Sequence, residues 1–267
     1  MVVVLVMVLL PMESVLLMSD KTKIAVLLWL YHSDLCFSFF NYLYPLRHHI
    51  KLFLGLCKDN NNQIVIDLFT KYFNSDQLFI TYHENKGADI LPFIQQLSFL
   101  SYKKYPNFIK LHSKKSELSF TKKWRTELCD YYISSEKRFL TIKKLLNSKN
   151  VGSVGHPSFI LQKCEFVHSD YIYQLCNHMH ISIPAKRPFV AGCMFAGKTQ
   201  LYQKYILPHS GYFEQLCRDE TGKINDLNGP TYTHSLERVL GYIACQDNYQ
   251  LCSLKEQRCI DHISLSN

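Results

Sequence analysis

No two of the ten cysteines are spaced as C-x-x-C, so neither a zinc ribbon nor a thioredoxin-like redox site has support. No apolar run reaches the roughly 20 residues a bilayer span requires. The apolar stretch from Met1 to Leu10 is interrupted by Pro11 and Glu13, and it lacks the basic flank and small-residue cleavage site of a signal peptide. Internal repeats, low-complexity tracts and long linkers are also missing, which argues against solenoids and arrays and favours one domain. What the chain does have is aromatic bulk, 17 Tyr and 17 Phe among 267 residues, which excludes a disordered, solvated polymer. Lys and Arg exceed Asp and Glu by 30 to 22, a formal charge of +8. That excess suits an anionic partner: nucleic acid, a membrane surface or a phosphorylated small molecule.

The cysteines mostly fall in apolar runs and read as buried, reduced thiols of a reducing compartment. Cys176, His178 and His180 form the densest cluster of metal-binding residue types, but they close a helix expected over Tyr171 to His180 and read as a wet helix end. The basic residues are spread along the chain and no nucleic-acid-binding motif appears, so a nucleic-acid interface is not expected.

Lys23 to Leu30, His49 to Cys57, Gln77 to Tyr82 and Asn107 to His112 read as strands, the first a continuous apolar run suited to burial on both faces. Helices are expected over Leu35 to Leu43, Ile64 to Phe73 and Ile90 to Lys103 between them, then over Phe120 to Ile133 and Ser135 to Leu146. This alternation predicts an α/β fold, a three-layer αβα arrangement around a mainly parallel sheet. Short strands follow at Val151 to Gly155 and Pro188 to Phe195, and a helix at Tyr232 to Cys245. The expected division is an apolar N-terminal appendage over 1–22, a principal domain over 23–250 and a tail over 251–267. Ligands of open α/β sheets bind beyond the carboxyl ends of the strands. That rule directs attention to Tyr31-His32-Ser33, Tyr82 to Asp89, Leu111 to Ser116 and the loops of the last third.

Gly192 to Thr199 fits the phosphate-binding pattern G-x-x-x-x-G-K-S/T residue for residue. A nucleotidase core needs further parallel strands after this loop, one ending in an acidic residue for magnesium. The remaining sequence offers none, and Met194 and Phe195 are bulky for a loop that must wrap phosphate. A nucleotide-binding P-loop protein is therefore the second reading.

Segments in order along most of the chain resemble the rhamnan synthesis F family. They are Glu84 to Phe93 (ENKGADILPF), Lys110 to Ser116 (KLHSKKS), Trp124-Arg125-x-Glu127-Leu128, Phe189-Val190-Ala191-Gly192-x-Met194-Phe195 and His234-Ser235-Leu236-Glu237-Arg238. Lys86 stands where the family usually has arginine, and Trp29 where a histidine is expected. The resemblance implies a GT-A-like glycosyltransferase of polysaccharide or lipopolysaccharide assembly. It would move a sugar, rhamnose being favoured, from a nucleotide-diphosphate donor such as dTDP-rhamnose to a polysaccharide or lipid-linked acceptor. An inactive scaffold of such a synthesis complex is the alternative within the same family. The implied location is cytoplasmic, with peripheral contact at the inner face of the membrane.

Transfer requires the growing negative charge of the diphosphate to be stabilised. Many GT-A enzymes do this with a metal held by Asp-x-Asp after the fourth strand; here that place reads Leu111-His112-Ser113-Lys114, so cations stand where acidic ligands would. No metal or other cofactor is expected. Tyr31, Asn85, Lys86, Gly87, Asp89, Lys110, His112 and Lys114 are the candidate donor-binding residues, and His112 and Lys114 also carry the catalytic charge. Asp89 equally suits the N-cap of the following helix. Asp226 and Glu237 are the candidate general bases, and Trp124, Arg125 and His234 the candidate acceptor contacts. Turn, packing and solvated-face roles compete at each of these positions.

Overall fold

The computed structural model describes residues 23–113, 119–162, 167–220 and 229–254. The apolar runs become β1 (Ile24–Leu30), β2 (Ile50–Cys57), β3 (Leu78–His83) and β4 (Asn107–His112), linked by α1 (Cys36–Leu43), α2 (Gln63–Tyr72) and α3 (Ile90–Ser98). All seven residues of β1 are buried, as a central strand covered on both faces requires. The second half supplies α4 (Ser119–Ile133), α5 (Glu136–Leu146), β5 (Val151–Val154), β6 (Ile160–Gln162), α6 (Ser169–His178) and β7 (Pro188–Val190). It closes with β8 (Phe195–Lys198), α7 (Thr199–Ile206), α8 (Ser210–Leu216), α9 (Tyr232–Ile243) and β9 (Gln250–Cys252).

The strands form a seven-stranded sheet in the order β3-β2-β1-β4-β8-β5-β9, while β6 and β7 pair separately. β1 to β4 run parallel, and β8 enters antiparallel between β4 and β5. Side chains alternate across the pleat, so Ala25, Leu27, Phe53 and Phe108 join the core beneath α3, α6, α7, α8 and α9. Ile24, Val26, Leu28, Ile109 and Leu111 join the core beneath α1, α2, α4 and α5. The expected three-layer arrangement with a mainly parallel sheet is present.

Several expectations change in detail. The strand expected over Pro188 to Phe195 is split, because Gly192 and Cys193 take φ values of 84° and 53° that no strand accommodates. α3 ends at Ser98 rather than Lys103. Gln203 of α7 donates from Nε2 to the carbonyls of Leu97 and Leu100 (2.9 and 2.8 Å), satisfying the groups that a longer helix would have bonded internally. β9 carries the sheet through Cys252, past the expected boundary at residue 250. Cys36, Cys57, Cys129, Cys176, Cys193, Cys217 and Cys245 are free and buried as expected, whereas Cys252 is disulfide-bonded. Among the described residues no helix is long and apolar enough to cross a membrane.

Candidate functional site

Strand alternation sends Phe108, Lys110 and His112 to the α3 side of the sheet. Phe108 packs into the core, but Lys110 brings an ammonium into the same interior at 1% exposure. Two groups meet it. The Asp89 carboxylate forms an ion pair with Nζ, and the Cys193 carbonyl accepts a hydrogen bond at 2.8 Å. Burial alone would pull the Lys110 pKa down, but Asp89 and the groups of Cys193 outweigh it and raise it. Asp89 occupies the N-cap position of α3 yet makes no side-chain cap hydrogen bond. Its carboxylate serves the charge cluster instead.

His112 lies next along the same face, 7% exposed, with Nε2 at 2.8 Å from the Gly192 carbonyl and 3.9 Å from Asp89. Since the carbonyl only accepts, Nε2 carries the proton. Gly192 is held from its other side by Glu237, whose Oε1 accepts from the Gly192 amide at 2.7 Å. Oε2 of Glu237 lies 3.4 Å from Arg238, which in turn donates to the His234 carbonyl at 2.7 Å. A Cβ added at Gly192 would fall 3.0 Å from the Trp124 ring, which is itself stacked on Phe159 at 5.2 Å. The turn at Gly192 and Cys193 therefore joins residues from Asp89, from Lys110 and His112, from Trp124, and from Glu237 and Arg238.

The other candidates lie around this turn. Asn85 donates from Nδ2 to the Tyr31 hydroxyl at 3.2 Å, linking the loops after β1 and β3. Gly87 adopts φ 59°, and its amide donates to the Glu220 carbonyl at 2.8 Å. Lys86 turns away from the cluster and pairs with Glu84 at 2.6 Å. His234 sits in the first turn of α9, where the Thr231 side chain caps its amide. Arg125 is half-buried and acts electrostatically on Cys129 and Tyr42, toward α1. Lys114 and Asp226 lie outside the described residues.

Sequence reasoning missed the residues that tie the loops together. Ser113 extends the β1–β4 pairing, its amide donating to the Trp29 carbonyl and its hydroxyl accepting from the His32 amide, both at 2.9 Å. Glu220 accepts from the Tyr232 and Thr233 amides at 2.6 and 2.8 Å, satisfying the first N–H groups of α9 with a carboxylate. No local pattern marks a glutamate that caps a helix beginning so much later in the chain.

The P-loop reading is overturned by this geometry. Gly197 is paired within β8, opposite Phe108 and Ser153. Lys198 donates to the Leu146 carbonyl at 2.6 Å, and the fully buried Thr199 donates from its hydroxyl to the Tyr105 carbonyl at 2.6 Å. Because Lys198 pairs with Asn107, at the start of β4, the pattern runs across the sheet instead of curling around a phosphate.

The layers and the Gly192 turn define a three-layer α/β protein whose ordered sequence segments meet at one place. A family model described as Rhamnan synthesis protein F matches residues 2–249, and the chain belongs to that family. No curated protein matches significantly. Among solved structures, the crystal structure of S. aureus TarS 1–349 is similar, with a TM-score of 0.47 and 9% identity. The similarity covers 89% of this chain and 59% of that one, so this chain spans less than two thirds of its solved neighbour.

Proposed function

We propose that the chain is a glycosyltransferase that moves a sugar from a nucleotide-diphosphate donor to a growing polysaccharide or lipid-linked glycan. The observation that supports it most is the convergence of the family's segments on the Gly192–Cys193 turn, at the carboxyl end of β4, where α/β sheets bind ligands. In this reading Tyr31, Asn85 and Gly87 line the donor side, and the charge at the diphosphate is assigned to His112 and Lys114. Lys110 is too buried to touch the donor and acts as a positioning residue, fixing Asp89 and, through it, the electrostatics around His112. Glu237 has one carboxylate oxygen engaged by the Gly192 amide and the other facing Arg238, so the general-base role is assigned to Asp226. Trp124, Arg125 and His234 are assigned to the acceptor side. Rhamnose carried on dTDP is the donor proposed, and the cytoplasmic face of the membrane the place of action.

The chemistry asks for positive charge at the leaving group, and the protein's own cations supply it without a divalent metal. The test is turnover of dTDP-rhamnose with and without EDTA. Activity should survive the chelator, and Lys114→Ala should lower kcat about a hundred- to thousand-fold while changing donor affinity little. Abolition by EDTA with rescue by manganese would overturn the charge assignment. Failure of every nucleotide sugar to bind would overturn the function.

A further inference from the structure

A cleft of about 850 Å³ opens beside the edge strand β3, walled by α3 and α8. Lys86 lines the cleft, while Asp89, at the other end of the same loop, joins the charge cluster. The cleft's volume is at the upper end of the roughly 300–1,000 Å³ typical of small-molecule sites.

The floor is a directional chain of hydrogen bonds. Gln95 Oε1 only accepts, so His83 must donate to it from Nδ1, at 2.6 Å. His83 Nε2 is then the acceptor for the Thr81 hydroxyl at 2.8 Å. Burial lowers the His83 pKa, which keeps this neutral tautomer at pH 7. Gln95 in turn donates from Nε2 to Glu214 Oε1 at 3.1 Å. Glu214 is thereby oriented, and its Oε2 has no partner among the described residues. Gly55 makes room for the arrangement, since a Cβ there would lie 2.8 Å from Gln96 Nε2 and 3.1 Å from the His83 ring.

Apolar surface stands beside these fixed polar groups. Phe79 and Phe99 are 40% and 53% exposed, and they meet edge to face at 5.4 Å. Three cations at the mouth, Lys58, Lys86 and Arg218, meet two carboxylates, Glu84 and Glu214, which leaves one net positive charge; Glu84 pairs with Lys86 and lies 4.0 Å from Lys58. Exposed ring surface, oriented hydrogen-bonding groups and little net charge describe a site for a neutral, hydroxyl-rich ligand with apolar faces. A purely apolar ligand would desolvate the polar floor.

We infer that this cleft binds an oligosaccharide segment of the glycan being extended, separately from the donor site. The inference rests on the sugar-transfer reading above. A deoxy sugar such as rhamnose suits the lining, its methyl group and ring face meeting Phe79 and Phe99 while its hydroxyls meet Gln95 and Glu214. Holding several sugars here would keep a growing chain near the Gly192 turn between transfers.

The test is titration of the full chain with a short rhamno-oligosaccharide and, separately, with dTDP-rhamnose, for the native sequence and for Phe99→Ala and Glu214→Gln. Both replaced side chains are exposed, so the variants should melt as the native protein does. Each should weaken oligosaccharide binding roughly tenfold or more, by loss of apolar burial or of a charge-assisted hydrogen bond, with donor affinity unchanged. Equal oligosaccharide affinity in all three proteins would overturn the site, as would competition between oligosaccharide and dTDP. Donor binding without oligosaccharide binding would sink this inference and leave the glycosyltransferase reading standing. Absence of both would sink the two together.

Discussion

A lysine stands at each end of β8, and the two are treated differently. At the Gly192 end, Lys110 is almost wholly enclosed, and the carboxylate of Asp89 keeps it charged against the pull of burial. At the other end, Lys198 is only partly buried, donates to the last carbonyl of α5, and lies over the Tyr249 ring. There burial lowers its pKa, with no carboxylate to offset it. The comparison shows which lysine belongs to a charge network and which completes a helix end. A pattern of residue types had pointed to the second; the three-dimensional partners point to the first.

Four experiments sharpen or break this contrast. The largest effect is expected from Asp89→Ala, which leaves the Lys110 ammonium buried without its counterion and should cost about 3–5 kcal/mol in urea unfolding. A companion Asp89→Leu/Lys110→Met variant should recover most of the loss, and a single-variant cost below about 1 kcal/mol would show that the pair is not what keeps Lys110 charged. Gly192→Ala should come next, at about 1–3 kcal/mol from the left-handed backbone, with crowding of Trp124 added to it. Enlarging Gly211, which has nothing within 4 Å of an added Cβ, is the control and should change little.

Lys198→Met should cost about 1 kcal/mol or less and leave dTDP-rhamnose affinity intact, since it removes one hydrogen bond to a carbonyl. Loss of nucleotide binding in that folded variant would restore the phosphate-loop interpretation. The smallest effect concerns His83. Its folded-state pKa lies below the ordinary 6.5, so the unfolded chain takes up a proton that the folded one refuses. That contribution is present above about pH 6.5 and is lost as the pH falls through the folded-state value. A His83→Gln variant should show a flatter decline in stability between pH 7 and pH 5, measured by chemical denaturation. An unchanged slope would remove His83 from the account.

The first half of the fold was legible because β1 to β4 are long and apolar, and their turns are marked by polar residues; the limits of β4 were read to the residue. The second half was harder. β6, β7 and β9 have three residues each, too few for any periodicity to register. The break at Cys193 depends on a positive φ at a residue that seldom adopts one, held by the flanking contacts of Gly192. Part of the charge cluster could have been read sooner. A strand period of two already places Lys110 on the face of Phe108, hence in the core, where a lysine demands a partner. That Asp89 is this partner, rather than the N-cap of α3, required the distance between two segments that the sequence alone does not supply. The ordered segments of the family were visible throughout, but their meeting at one glycine was not.

The antiparallel entry of β8 bears on the order in which the protein assembles. Strands β3, β2, β1 and β4 come from the first 112 residues and can pair among themselves as the chain emerges. β5 is made soon afterward but has no neighbour in the sheet until β8 and β9 follow, because β8 lies between it and β4. For the intervening stretch of synthesis its edges stay open, and the place it will occupy beside the first four strands cannot yet be filled. Folding should therefore proceed in two stages, with a half-sheet exposing the flank of β4 as the species most vulnerable to mispairing.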